Sequence, residues 1–376
     1  MKKIFVKIHL WLSLPFGIII AIVCLTGAIL VFEDEMLELC YPSHYFVEEV
    51  KEEPLSISEL MALGRKQLPD SIKINGIRVS PDPKRTYQLV IPGKKAAAFI
   101  NPYTGEVTGI DNGQGFFMQT MRLHRWLLTE FKRDGGYPWG RALVGYATIV
   151  MVFIIISGLV IWYPKNRKNL TKRLKIKTTA GWRRFFYDLH VTGGFYAALL
   201  LLVLALTGLT WSFNWYRDAF YTVFGVSTQP QAHGHAPAKG KSEKKEKPQK
   251  EIDYIQWDVA LKNLKDKNAT FNWMTIQDGT ATVSSANYGN TRGSDRYTFD
   301  ASTGDITSAQ LYQELPKSGK IRGWIYSVHV GSWGGLVTRI LTCLVSFLGA
   351  ILVITGYYFW IKKTFKKRKK RKSKEK

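Results

Sequence analysis

Four of the seven histidines in this chain stand where they could do chemistry. His9 and His190 lie just inside one end of two long apolar stretches, and His124 and His329 precede two others. Imidazole is the commonest protein metal ligand, and ionisable groups at membrane depth usually carry function. A single histidine near a helix end also hydrogen-bonds or snorkels at the interface, so the argument rests on the pattern. Each end of the apolar stretches receives one histidine from each half of the chain, which makes two pairs. Two imidazoles facing each other from separate helices are the axial ligation of a b-type haem. Zinc would want four ligands, usually with Cys or carboxylate among them, and neither recurs with these histidines, although Asp188 is near His190. The other three, His44, His233 and His235, fall in exported loops; the last two belong to a Pro/Lys/Ala/Gly-rich linker over 229–250, where a solvated loop is the simpler reading than a weak metal contact.

The elements that must position these residues are four apolar stretches, roughly Leu10–Phe32, Trp139–Tyr163, Phe185–Phe213 and Leu336–Ile361. Each reaches the length of about 20 residues that spans a bilayer. The first is too long and uninterrupted for a cleaved signal peptide and reads as a retained anchor. Four spans put both termini on one side. A helix from His9 to Thr26 rises about 25 Å, so the two pairs would form a two-step electron path across the membrane. Arg141 and Arg339, inside spans two and four, are costly against lipid; each either pairs with a haem propionate or snorkels. Gly17, Gly27, Gly158, Gly193, Gly194, Gly208 and Gly356 either clear room for a flat macrocycle or serve ordinary small-residue packing. Cys24 and Cys343 read as plain small apolar residues. The three cysteines are far apart, which excludes a disulfide framework, a Cys-rich zinc site and a c-type haem motif.

The chain reads as an internal repeat. Lys2-Lys3-x-Phe5-x-x-x-His9 matches Arg183-Arg184-x-Phe186-x-x-x-His190, and Thr26-Gly27 matches Thr207-Gly208, all at an offset of 181. At an offset of 198, Arg141 matches Arg339, Ser157-Gly158 matches Thr355-Gly356 and Trp162 matches Trp360. A Gly-Gly lies upstream of each, Gly135-Gly136 and Gly334-Gly335. The long segments between spans repeat as well. Each has a helical pattern (Ser58–Leu68, after a capping-box-like Ser56-x-x-Glu59, and Asp253–Leu264) followed by strand-like alternation. Those strands are 72–79, 86–91 and 96–100 in the first, and 270–276, 280–285 and 296–299 in the second. A Thr-Gly turn follows in each, at Thr104-Gly105 and Thr303-Gly304.

The formal charge of +24 invites a nucleic-acid partner, but its distribution argues against one. The N-terminal stub, the 164–184 loop and the tail from Lys362 hold 23 Lys and Arg, against Asp188 and Glu375 alone. Residues 33–137 and 214–333 nearly balance, at −2 and +3. By the positive-inside rule the basic segments are cytoplasmic and the long ones exported, and lipid head groups account for the basic tail. The expected fold is an α-helical integral membrane protein of four transmembrane helices with an internal two-fold repeat, plus two periplasmic α+β modules. Its segments are span one (1–32), the first module (33–113), an interfacial stretch (114–137), span two (138–163), the basic loop (164–184) and span three (185–213). The linker region (214–250), the second module (251–315), a second interfacial stretch (316–335), span four (336–361) and the tail (362–376) complete it.

With His in span one, the Thr-Gly turns of both modules, Leu123-His124-Arg125 after the first module and His329 before the last span, the chain resembles the PepSY-associated transmembrane proteins. These are often described as iron-regulated membrane proteins. The resemblance implies two bis-His b-type haems held by His9, His124, His190 and His329. It further implies reduction of ferric siderophores in the bacterial periplasm by an inner-membrane protein. Some members are fused to flavin reductase domains; this sequence contains none, so a separate cytoplasmic flavoprotein or quinol would supply electrons. Two other functions stay open: a membrane-anchored regulator that binds or inhibits peptidases, with structural histidines, and a siderophore permease.

Overall fold

The computed structural model describes residues 2–92, 96–129, 139–164, 166, 168, 170–226, 254–285 and 288–372, with side chains described as far as 365. The linker with His233 and His235, and Gly135-Gly136, lie outside the described residues. The chain divides into two compact units, residues 1–33, 116–220 and 328–376, and residues 34–115 and 221–327.

The first unit is helical. Four helices are long and apolar enough to cross a membrane, with mean hydropathy of 2.1 to 2.6. They are α1 (Lys2–Leu30), α6 (Trp139–Trp162), the pair α8 (Trp182–Asp188) and α9 (Gly194–Ser212), and α13 (Gly335–Lys372). α1 packs on α6 and α13, and α9 packs on the same two helices, so the four close a ring. Small residues set the approach distances. A Cβ on Gly349 would meet the Cys24 Sγ at 3.0 Å, and one on Gly17 would meet the Tyr357 hydroxyl at 2.8 Å. The third span is not one regular helix, because a π-helical turn, Leu189–Gly193, joins α8 to α9. Shorter helices α5 (Phe116–Trp126), α7 (Leu170–Arg173), α10 (Asn214–Val223) and α12 (Lys317–Val330) flank the spans in the sequence.

The second unit is a single antiparallel sheet of eight strands in the order β4-β3-β2-β1-β5-β6-β7-β8. The strands are β1 (Gly76–Val79), β2 (Tyr87–Ile91), β3 (Ala96–Ile100), β4 (Val107–Asp111), β5 (Trp273–Gln277), β6 (Thr280–Ser284), β7 (Ser294–Phe299) and β8 (Ile306–Gln310). Helices α2 (Glu33–Cys40), α3 (Pro42–Tyr45), α4 (Ile57–Gln67) and α11 (Ile255–Lys267) complete the elements. The two modules expected from sequence thus share one sheet. β1 and β5 join it at the centre, with Ile77 opposite Ile276, and both are wholly buried in one core with Leu60, Leu89, Trp257 and Leu264. Ser56 and Glu59 form the capping box that starts α4, and the Asp258 carboxylate of α11 accepts from Ser58 N–H and Oγ–H at the same helix start. The Thr-Gly turns connect β3 to β4 and β7 to β8. Gly105 (φ +70°) and Gly304 (φ +78°) adopt left-handed backbone, and a Cβ would strike Leu63 at 2.3 Å or the Gln256 carbonyl at 2.5 Å. β4 and β8 follow directly. Their sequences, VTGID and ITSAQ, are edge strands without a clean apolar alternation, so sequence periodicity gives no sign of them.

Candidate functional site

Within the helical unit each of the four histidines docks on a neighbouring helix in the same way. His9 Nδ1 lies 3.0 Å from the Ile154 carbonyl and 3.1 Å from Ser157 Oγ on α6. His124, on α5, lies 3.0 Å from the Val23 carbonyl and 3.1 Å from Thr26 Oγ1 on α1. His190, on the π-helical turn, reaches Thr355 Oγ1 of α13 at 2.9 Å and has the Leu352 carbonyl as a second partner. His329, at the end of α12, lies 3.1 Å from the Leu204 carbonyl and 3.1 Å from Thr207 Oγ1 on α9. The receiving helix therefore presents a carbonyl, a hydroxyl three residues later and then a glycine. A Cβ on Gly27, Gly158, Gly208 or Gly356 would stand 3.2, 3.4, 3.0 or 3.4 Å from the Cε1 of the docked ring. These four glycines make room for an imidazole, a use distinct from both sequence readings, room for a macrocycle and ordinary small-residue packing.

The cradle also fixes the tautomer. Each hydroxyl spends its one proton within its own helix: Thr26 on the Ile22 carbonyl (2.6 Å), Ser157 on Ile154 (2.9 Å), Thr207 on Val203 (2.7 Å) and Thr355 on Ile351 (2.9 Å). A hydroxyl has a single donor, so each oxygen can only accept, as the carbonyls do. Nδ1 must then carry the proton, and in the neutral ring Nε2 is the bare nitrogen, the form that binds metal. Burial lowers the pKa of His124 to about 4. Burial, with His124 close by, lowers that of His329 to about 3.

The rings meet in pairs. The His9 and His190 ring centres are 6.4 Å apart, and those of His124 and His329 are 6.3 Å apart. Two imidazoles bonded to one central metal ion at about 2 Å per bond have ring centres about 6 Å apart. Among the described residues no group of three or more His, Cys, Asp or Glu could hold a metal ion. Each pair supplies two donors on opposite sides, which suits a macrocycle that brings its own in-plane nitrogens.

A cavity of about 1310 Å³ surrounds His9 and His190. Its body is apolar, with Leu10, Leu14, Ile154, Ala198, Leu201, Leu352 and Val353 among its walls. Its charged residues are Arg173, Arg183, Arg184, Lys362 and Lys363, with no carboxylate in the lining. A flat apolar body with an anionic edge fits these walls, and haem b has both. Asp188 is buried nearby, where it accepts from Arg184 Nε at 2.9 Å and from Lys177 N–H at 3.1 Å.

Arg141 and Arg339 lie toward the other pair. Arg141 donates to the Trp211 carbonyl, through Nε at 2.9 Å, and Arg339 to the Val31 carbonyl at 2.6 Å. Both cap the C-terminal end of a neighbouring span, where a cation is favoured. Arg339 also stands over the Phe32 ring at 4.8 Å. His44 belongs to the other unit, stacked between Tyr41 and Phe99. Cys24 is buried in the helical unit and Cys343 half-buried. The hydroxyls of Thr26, Ser157, Thr207 and Thr355 complete the four cradles, whereas the sequence reading used these residues only as marks of the repeat. Their signal was present as the Thr-Gly and Ser-Gly pairs that recur at the offsets of the histidines.

No curated protein matches the chain. The family model described as the PepSY-associated TM region matches residues 6–363, nearly its whole length. The protein, a multi-pass membrane protein by its four apolar helices, belongs to the PepSY-associated TM region family.

Proposed function

We propose that this protein is a di-haem oxidoreductase of the inner membrane that passes electrons from the cytoplasmic side to ferric, siderophore-bound iron in the periplasm. One observation carries the reading. Two imidazole pairs, each with Nδ1 pinned and Nε2 free, stand at bis-His spacing near opposite ends of the spans. Haem supplies reversible one-electron storage at each pair. The chain's own work is to orient. His9 and His190 would hold one group and His124 and His329 the other, with the four hydroxyl cradles holding each Nδ1–H and so leaving each Nε2 bare for iron. Arg141 and Arg339, at equivalent places in the repeat, would neutralise a propionate of the second haem. The 23 Lys and Arg of the termini and the 164–184 loop, against only Asp188 and Glu375 on that side, support a cytoplasmic placement of the His9 end. The donor is a separate flavoprotein or quinol, and the acceptor a ferric complex.

A reduced-minus-oxidised optical spectrum of the purified protein tests this. A b-type signal at two haems per chain is expected. Replacing His9 or His190 with Ala removes one haem, and replacing His124 or His329 removes the other. Protein produced with ample haem that carries none would end the proposal. Ferric siderophores added to the reduced protein should reoxidise it.

A further inference from the structure

The cavity at the His9–His190 pair holds a donor that no hydrogen bond described above uses. Trp162 lines it, is 7 % exposed and has its indole Nε1–H without a hydrogen-bond partner among the described residues. An indole N–H can only donate, and a buried donor without an acceptor is costly and uncommon. The ring is held in place on both sides of the question. It stacks on Phe195 at 3.7 Å between centroids and 11° between planes. Its own backbone carbonyl accepts from Arg173 Nη1, and Arg173 also lines the cavity. Around it every charged group of the lining is a cation. An acceptor brought by the occupant of the cavity, anionic to suit these cations, would satisfy this N–H.

We propose that Trp162 is a carboxylate anchor: its indole N–H, with Arg173 beside it, binds a propionate edge of the tetrapyrrole held by His9 and His190. This rests on the haem reading above and adds a residue that selects for the acid form of the ligand. Trp360, its counterpart in the second half of the sequence, also lines the cavity but is 37 % exposed, so water can satisfy its N–H.

The test uses the full chain, produced under haem limitation and carrying His329→Ala so that one site is read. It is titrated with ferric haem and with haem dimethyl ester, whose carboxylates are capped. The expected preference for the free acid is about tenfold or more, the size of one charge-assisted hydrogen bond. Trp162→Phe keeps the stacking on Phe195 and should lower the ratio severalfold, the lining cations keeping the remainder, whereas Trp360→Phe should leave it unchanged. In the chain with all four histidines, Trp162→Phe should move one of two midpoint potentials to a more negative value, because the carboxylate charge is less neutralised. Haem bound with a bis-His spectrum, but with the free-acid preference and both midpoints intact in Trp162→Phe, overturns the anchor alone. If Trp162→Phe does not fold, Arg173→Gln carries the same comparison, and an unchanged ratio there overturns the anchor as well. Failure of any haem to bind overturns the functional reading beneath it.

Discussion

A histidine ligand is only as good as the group behind it. Thr207→Val keeps the shape of the side chain but removes the oxygen that accepts from His329 Nδ1–H at 3.1 Å. Losses of this kind cost about 10- to 100-fold in ligand affinity, measurable by haem titration. The same change should shift one midpoint potential upward, since a less basic imidazole stabilises the ferric state less. Leu127 and Leu128 have left-handed backbone (φ 51° and 61°) just after His124, whereas after His329 the left-handed position is Gly331. Leucine in that region costs about 1–2 kcal/mol, and glycine gives part of it back through unfolded-state entropy. Leu128→Gly should therefore stabilise the protein by up to about 1 kcal/mol, read as a higher Tm with both haems retained.

At the scale of elements, each pair is two rings from two elements docked on two receiving helices, and the spacing of carbonyl, hydroxyl and glycine along the receiving helix does the positioning. Gly208→Ala places a methyl group 3.0 Å from His329 Cε1 and should weaken one haem without touching a ligand. Haem stoichiometry reads that loss. The spans were legible in the sequence because hydropathy over 20 residues is a strong signal. The four histidines were legible because they recur with their Thr-Gly and Ser-Gly partners. What joins them was not. Offsets of 181 and 198 say that two segments are alike, but they do not say that Thr26 receives His124 or that Ser157 receives His9. The π-helical turn under His190 has no sequence mark either, and strands β4 and β8 lack the alternation that betrays β7. In the sequence Trp162 stands only as the repeat match of Trp360, since an unpaired indole N–H exists only once its surroundings are packed.

At the scale of the molecule, the sheet describes an order of events. Residue 77 pairs with residue 276, and between them in the chain lie α5, α6, α8 and α9. The sheet cannot close until both long segments have been delivered to the same side. During synthesis the first half has β1 as a bare edge, with Ile77 and Val79 on its apolar face and unpaired amides along it. Such long-range pairing is slow to form, and a bare edge welcomes any matching strand. A chain that stops at residue 213 should therefore pair β1 with β1 of a second copy and run as a dimer in light scattering, while the full chain supplies β5 to itself. Expression strains that stall in the second half would accumulate these mispaired halves. The quality of the assembled protein then depends on translation reaching β5 before another edge does.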